Sequence, residues 1–456
     1  MLTLRSRHRL LITVALVSVG TVTLGPAALA AAPDSRLIGY AALPAETFAE
    51  GPPSGSAITA ANGVTPPFAS QPVQGFSAVH DRNDGTFDVM PDNGYGAKGN
   101  SADFYLRMYR IRPSFETGTV PLPAPLQSGS GGIEVMSFIS FRDPNSLVPF
   151  TIINGATPQR LLTGADFDIE SMQQAPDGTL WIGDEFGPYL LHFDATGVLL
   201  DAPISLPDFS TPDPYDVIQS PQNPNLVGTP RAVQSGGFEG MAISPDGATL
   251  YPLLERPLGN VGTTLLIHPF DVATKQYVGT QMQYPLTDGT NIGDFILSDA
   301  SNGMVIERDN TQGNTAGVKR IFKVTLPAGG SGAVTKSLLV NLNAISDPDG
   351  ISLPGQAGDV GLGSTFSFPF VTIEDVVLIN PTTIGVLNDN NFPFSKGRHL
   401  GTGAPDDNEF IILSLDTAPP IEVPEAPIAV LLPLTAALLG GGLLFRIRRT
   451  ARLGAA

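Results

Sequence analysis

Cysteine is absent from all 456 residues, so disulfides, thiolate nucleophiles and Cys-ligated zinc are excluded. Tryptophan occurs once, and Lys plus Arg number 25 against 43 Asp plus Glu, a formal net charge of -18. Such a field repels nucleic acid and other polyanions and favours cations, although a solubilising surface accounts for part of any acidic excess. His80, His192, His268 and His399 are scattered without ligand spacing, so no histidine metal site is assigned. A G-x-S-x-G elbow, a P-loop, an H-E-x-x-H helix and a dinucleotide fingerprint are all missing, against a common serine hydrolase, NTPase, zincin or dehydrogenase. No stretch between the two ends keeps a helical period for three turns. With 50 Gly and 42 Pro between short apolar runs, the chain reads as all-β.

The two ends carry addresses rather than fold. Arg5, Arg7 and Arg9, the apolar run at 10–24 and Ala28-Leu29-Ala30 form a secretory signal over residues 1–30. At the other end a Pro-rich linker (417–427) precedes an uncharged apolar run (428–445) and a basic tail (446–456) with Arg446, Arg448, Arg449 and Arg452. This reads as one transmembrane helix with a cytoplasmic basic flank. The Val423-Pro424-Glu425-Ala426-Pro427 box, helix and arginine tail resemble PEP-CTERM sorting signals, with Ala426 departing from the usual Pro-Glu-Pro. Without these ends, the body at 33–416 holds 18 cationic and 41 acidic residues, a net charge near -23. It is long enough to bury a large core without covalent staples.

Within the body one pattern recurs: a strand carrying an acid, a Gly-, Asp- or Asn-containing turn, and a second strand ending in acids. Its clearest copy is Ile169-Glu170-Ser171, the turn Asp177-Gly178, then Leu180-Trp181-Ile182-Gly183-Asp184-Glu185. Further copies run from Glu239 to Glu255, from Asp294 to Glu307 and from Glu374 to Asp389, and a weaker one runs from Phe76 to Asp92. Strand-turn-strand units at an irregular period of several tens of residues are the mark of a β-propeller. Five such repeats plus an unanchored unit near 133–165 predict six blades, with five or seven left open. The strands near 36–41 and 409–415 lie at the limits of the array, and pairing them would close the ring.

At Trp181-Ile182-Gly183-Asp184-Glu185-Phe186-Gly187-Pro188, Phe238-Glu239-Gly240-Met241-Ala242, Val305-Ile306-Glu307-Arg308-Asp309 and Leu387-Asn388-Asp389-Asn390-Asn391-Phe392, the chain resembles the phytase-like, esterase-like domain family. The likeness spans about residues 70–415. It implies a β-propeller that acts on phosphate or other esters with the help of calcium.

The residues lead to similar chemistry by another route. Glu170, Glu239, Asp294 and Glu374 take equivalent repeat positions, as do Asp184, Glu307 and Asp389, with Glu185 beside Asp184. Inner strands of a propeller bring such positions together at the channel mouth, and rings of carboxylate oxygens suit Ca²⁺. Any one of these acids, taken singly, equally fits a turn cap or an arginine's partner. Glu170, Glu239, Glu307 and Asp389 are the candidate ligands or general base, and Arg308, with Arg256 as a second candidate, the residue that holds a substrate anion. The leading expectation is an exported, membrane-anchored, monomeric propeller with a Ca²⁺-assisted ester hydrolase site. The competing one is a non-catalytic surface module that binds a glycan, peptide or cation. No strand is expected beyond Leu415. Deleting 422–456 is therefore expected to leave a folded propeller and release it to the medium. Fractionation of cells expressing both forms checks this, and a truncated protein that stays with the membrane would refute it.

Overall fold

The computed structural model describes residues 35–415 apart from Pro214. The signal, linker, apolar run and basic tail lie outside the described residues. Among the described residues no helix is long and apolar enough to cross a membrane.

Local structure follows the turn chemistry. In the turn at 175–179 the Asp177 carboxylate accepts the Thr179 N–H at 3.0 Å and the Thr179 hydroxyl at 2.7 Å, and Gly178 takes a φ of +85°. An aspartate followed by a residue tolerant of positive φ closes a hairpin cheaply. Asp246, with the Ala248 N–H at 3.1 Å, and Asp84, with the Thr86 N–H at 2.9 Å, repeat the device.

These hairpins grow into five sheets of four principal strands each, the first and fifth continuous at their outer strands through the parallel pair Ala42↔Gly132. The first contains Phe76–Asp81, Phe87–Pro91, Arg107–Ser114 and Gly132–Ser140. The second contains Ile169–Gln174, Leu180–Asp184, Tyr189–Phe193 and Ile204–Ser205. The third has Phe238–Ile243, Thr249–Leu254, Thr264–Ile267 and Met282–Pro285, and the fourth Asn291–Leu297, Asn302–Arg308, Lys319–Thr325 and Thr335–Asn341. The fifth is completed across the chain: Thr372–Asn380, Thr383–Asp389 and Asn408–Leu415 take Ser35–Leu43 as their outer strand, antiparallel from Ser35↔Leu415 to Leu43↔Asn408.

Each sheet's first strand packs on the first strand of the next, and the fifth returns to the first. This is a closed, propeller-like ring of five sheets, so the expectation of six is corrected. The supposed sixth unit supplies only Gly132–Ser140, the outer strand of the first sheet, and a strandless connection to Ile169. That connection carries Pro144, Pro149 and Pro158, which withhold backbone donors from any ladder.

The core has the same five-part arrangement, because each neighbouring pair of sheets encloses one hydrophobic cluster. Phe167, Ile182 and Met90 join sheets one and two; Trp181, Phe238 and Leu250 join two and three; Phe295, Val305 and Leu265 join three and four. Ile306, Val376 and Ile411 join four and five, and Phe87, Phe410 and Ile412 join five and one. A smaller cluster of Ala45, Val64, Phe68, Tyr95, Phe104 and Phe392 fastens the irregular segment 44–70 onto the loops that follow Asp92 and Asp389.

Phe410 sits at the closure, fully buried, with ring centroids 4.9 Å from Phe87 and 5.2 Å from Phe115. Phe410→Ala removes a closure contact and leaves a cavity, so it is expected to cost about 3–5 kcal/mol. A urea unfolding midpoint measures this, and an unchanged midpoint would show that closure does not rest on this contact.

Candidate functional site

All five inner strands break register at the same place. The shifts fall between Phe76 and Ala78, Ile169 and Ser171, Phe238 and Gly240, Ile292 and Asp294, and Ile373 and Asp375. The bulged residues are Ser77, Glu170, Glu239, Gly293 and Glu374. A bulge re-aims a side chain out of the ladder, and Glu170, Glu239 and Glu374 line one cavity of about 230 Å³. The fourth sheet has no side chain here because a β-carbon on Gly293 would lie 1.9 Å from the Ile373 carbonyl oxygen. Asp294 is therefore one residue out of place as a member of this ring. Its carboxylate caps the Val376 N–H at 2.9 Å between the fourth and fifth sheets, and burial pushes it up to about 7.

The second strands show the same displacement. Pro91, Asp184, Leu254, Glu307 and Asn388 each pair with the residue just before a bulge. The residues one step further on, Asp92, Glu185, Glu255, Arg308 and Asp389, face the cavity. A one-residue step along a strand reverses the face, so Asp184 and Glu307 point away from the site. Asp184 accepts the Asp168 N–H at 2.8 Å and the Gly187 N–H at 2.7 Å. Glu307 accepts the N–H groups of Thr287, Asp288 and Gly289 at 2.8, 3.0 and 2.9 Å and pairs with Lys336. Both acids staple backbone rather than face a ligand.

Arg308 lies at the centre, 4% exposed. Its Nη2 donates to Glu239 Oε1 at 2.9 Å, Glu374 Oε1 at 3.0 Å and Glu255 Oε1 at 3.2 Å, while Nη1 donates to Asn310 at 3.0 Å. Glu374 also accepts the Ser77 hydroxyl at 3.0 Å, so four sheets meet in this network. Glu185 accepts the Gly237 N–H at 3.0 Å; Asp389 accepts the Asn391 N–H at 2.7 Å and the Thr372 hydroxyl at 3.0 Å.

Two acidic groups remain less provided for. Ligand oxygens of Asp92, Asp168 and Glu170 lie within 4.8 Å of one another, as do those of Glu170, Glu185 and Glu239. Asp168 Oδ1 is buried without a hydrogen-bond partner. Repetition analysis missed Asp92 as a ligand because its repeat was the weakest. It missed Asp168 because that residue precedes its strand; the signal was the spacing Asp168-x-Glu170. Burial, then like-charge neighbours, hold Asp92, Glu170, Glu185 and Glu239 well above the ordinary carboxylate range. Burial with the Asp389 charge pushes Glu374 up to about 8, although Arg308 opposes it.

A family model described as "Phytase-like: Esterase-like activity of phytase" matches residues 71–392, and the chain belongs to that family. A relative from Arthroderma benhamiae, described as an uncharacterized secreted protein, is 36% identical over 106 residues, which cover 21% of this chain and 20% of that protein. The match thus spans only a fifth of that relative's length. Among solved structures, a luciferin-regenerating enzyme is 11% identical at a TM-score of 0.33, covering 77% of this chain and 97% of its own. An aldose sugar dehydrogenase from Streptomyces coelicolor with bound PQQ is 10% identical at 0.31, covering 73% and 76%. Likenesses this remote carry nothing over to this chain.

Removing one member of a buried ion-pair set costs about 3–5 kcal/mol, because the remaining charges stay uncompensated. Arg308→Ala is expected to destabilise the protein by that amount, read from denaturant unfolding. A loss under about 1 kcal/mol, the worth of an exposed pair, would refute the central role assigned to Arg308.

Proposed function

We propose that this protein is an exported phytase-like or esterase-like hydrolase that cleaves phosphate or other esters with Ca²⁺ assistance at the mouth of the ring. One observation carries the reading. The cavity is lined by eight carboxylates, from Asp92, Asp168, Glu170, Glu185, Glu239, Glu255, Glu374 and Asp389, against two guanidiniums, Arg256 and Arg308. So many anions in a small, partly buried space require protons or a multivalent cation.

The donor set fits Ca²⁺. Oxygens bound to one Ca²⁺ at about 2.4 Å lie at most about 4.8 Å apart, and ligand oxygens of Asp92, Asp168 and Glu170 fall within that limit. The unpartnered Asp168 oxygen is a free ligand in an all-oxygen site. These three residues would hold the ion, which when bound supplies a Lewis acid that polarises the ester. Glu185 has one oxygen tied to the Gly237 amide and stands beside Glu170 and Glu239. We assign it the role of taking a proton from an attacking water. Glu307, away from the cavity, takes no part.

Export is supported by the N-terminal signal pattern and by the secreted relative. Anchoring by the apolar run and monomeric action belong to the same proposal. A non-catalytic binding module is the second reading, favoured by the engagement of both terminal nitrogens of Arg308 with protein acceptors, which leaves only its buried Nε unspent.

Chelator treatment of the purified protein is expected to abolish turnover on a panel of phosphomonoesters, aryl esters and lactones, and Ca²⁺ to restore it. Glu170→Gln should lower Ca²⁺ affinity by about tenfold or more. Because burial pushes the Asp168 carboxyl up to about 6, protons compete with the ion, and Ca²⁺ should bind more tightly at pH 8 than at pH 6. Metal-independent turnover, or none on any ester, would remove the hydrolase reading. Calorimetry showing no Ca²⁺ uptake at either pH would remove the ion.

A further inference from the structure

An acidic cavity that accepts an anionic substrate needs a cation with accessible, unspent donors, and its two arginines differ at their terminal nitrogens, the one unspent donor of Arg308 being its buried Nε. Arg308 donates to three glutamates and an asparagine. Arg256, two residues past the end of the third sheet's second strand, lines the same cavity with its side chain 30% exposed. Its one salt-bridge partner among the described residues is Glu255, whose Oε2 lies 3.1 Å from Nε but outside hydrogen-bonding geometry, and its charge also acts on Glu185. Among the described residues the two terminal nitrogens of Arg256 donate no hydrogen bond. Glu255 Oε1 is taken by Arg308 and Asn291, so only Oε2 remains to steady Arg256 from its Nε side. The segment at 235–236 packs along the base of the side chain, where a β-carbon on Gly236 would stand 3.4 Å from Arg256 Cβ.

A guanidinium with Nη1 and Nη2 unspent presents the parallel pair of donors that matches a phosphoryl or carboxylate group. We infer that Arg256, rather than Arg308, is the anion-binding residue of this cavity, and that it selects a phosphoryl-bearing ester. The inference rests on the hydrolase reading for its substrate, but the anion contact itself needs no turnover. Ser235, which also lines the cavity, adds a hydroxyl beside it.

Calorimetry with methylphosphonate, a phosphoryl group that cannot be hydrolysed, tests the contact on the purified protein with and without Ca²⁺. Arg256→Ala is expected to weaken methylphosphonate binding about tenfold to a hundredfold, and Arg256→Lys to recover part of it without the bidentate geometry. In turnover, Arg256→Ala should lower kcat/KM on 4-nitrophenyl phosphate more than on 4-nitrophenyl acetate, mainly through KM. Circular dichroism melting of each variant confirms that the fold is retained. Equal phosphonate binding by wild type and Arg256→Ala, or no binding by wild type, overturns the inference. An equal loss on both nitrophenyl esters overturns it too, since a merely structural residue would behave so. Tighter Arg256-dependent binding of propionate than of methylphosphonate overturns the phosphoryl assignment. Arg256-dependent phosphonate binding by a protein that turns over no ester leaves the inference standing and sinks only the hydrolase reading.

Discussion

The mouth of the ring depends on a single guanidinium. Glu239, Glu255 and Glu374 belong to the third and fifth sheets, and Arg308 reaches all three from the fourth. Buried carboxylates this close repel one another in a medium that screens them poorly. One planar cation with several donors balances them at little cost in volume, and it links the third, fourth and fifth sheets at one point. The engagement of its terminal nitrogens separates the cavity's roles: the Arg308 side is structural, while on the Asp92, Asp168 and Glu170 side Asp168 Oδ1 has no partner.

The five bulges make that arrangement repeat. Each inner strand would otherwise alternate between its two neighbouring interfaces and give the channel no fixed set of side chains. The added residue turns one side chain per sheet towards the axis, and the following residues return to the interfaces. Where the bulged residue is glutamate the site gains a carboxylate; where it is Gly293, the close approach of Ile373 forbids any side chain. The fourth sheet thus contributes its charge through Arg308, with Asn310 beside it.

The five hydrophobic clusters show how such a costly centre is carried. Each interface between sheets has its own apolar core, so stability does not rest on the axis. Burying Phe410, Trp181 and their neighbours contributes about 1.5–3 kcal/mol per large side chain. That reserve offsets several carboxylates held above their ordinary pKa. Closing the fifth sheet with Ser35–Leu43 removes the free edges on which an open array would aggregate.

Much of this is legible without coordinates. Alternating apolar residues, Asp-Gly turns and five acid-bearing repeats specify strands, hairpins and a propeller-like ring, because these depend on period and turn chemistry over a few residues. Pairing of the first and last strands follows from the same array. Glu170, Glu239, Glu374, Glu185 and Asp389 were identifiable as cavity acids because each sits at a strand end in a repeat. Sheet number was not legible, since a strand such as Gly132–Ser140 looks alike whether it opens a sheet or completes one. Nor was the one-residue register that sends Asp184, Glu307 and Asp294 away from the cavity and Asp92 and Asp168 into it, although Arg308 was read as a site residue. Only the tertiary structure decided that, because a bulge is settled by how neighbouring strands pair, and a single added residue reverses the face of every side chain after it.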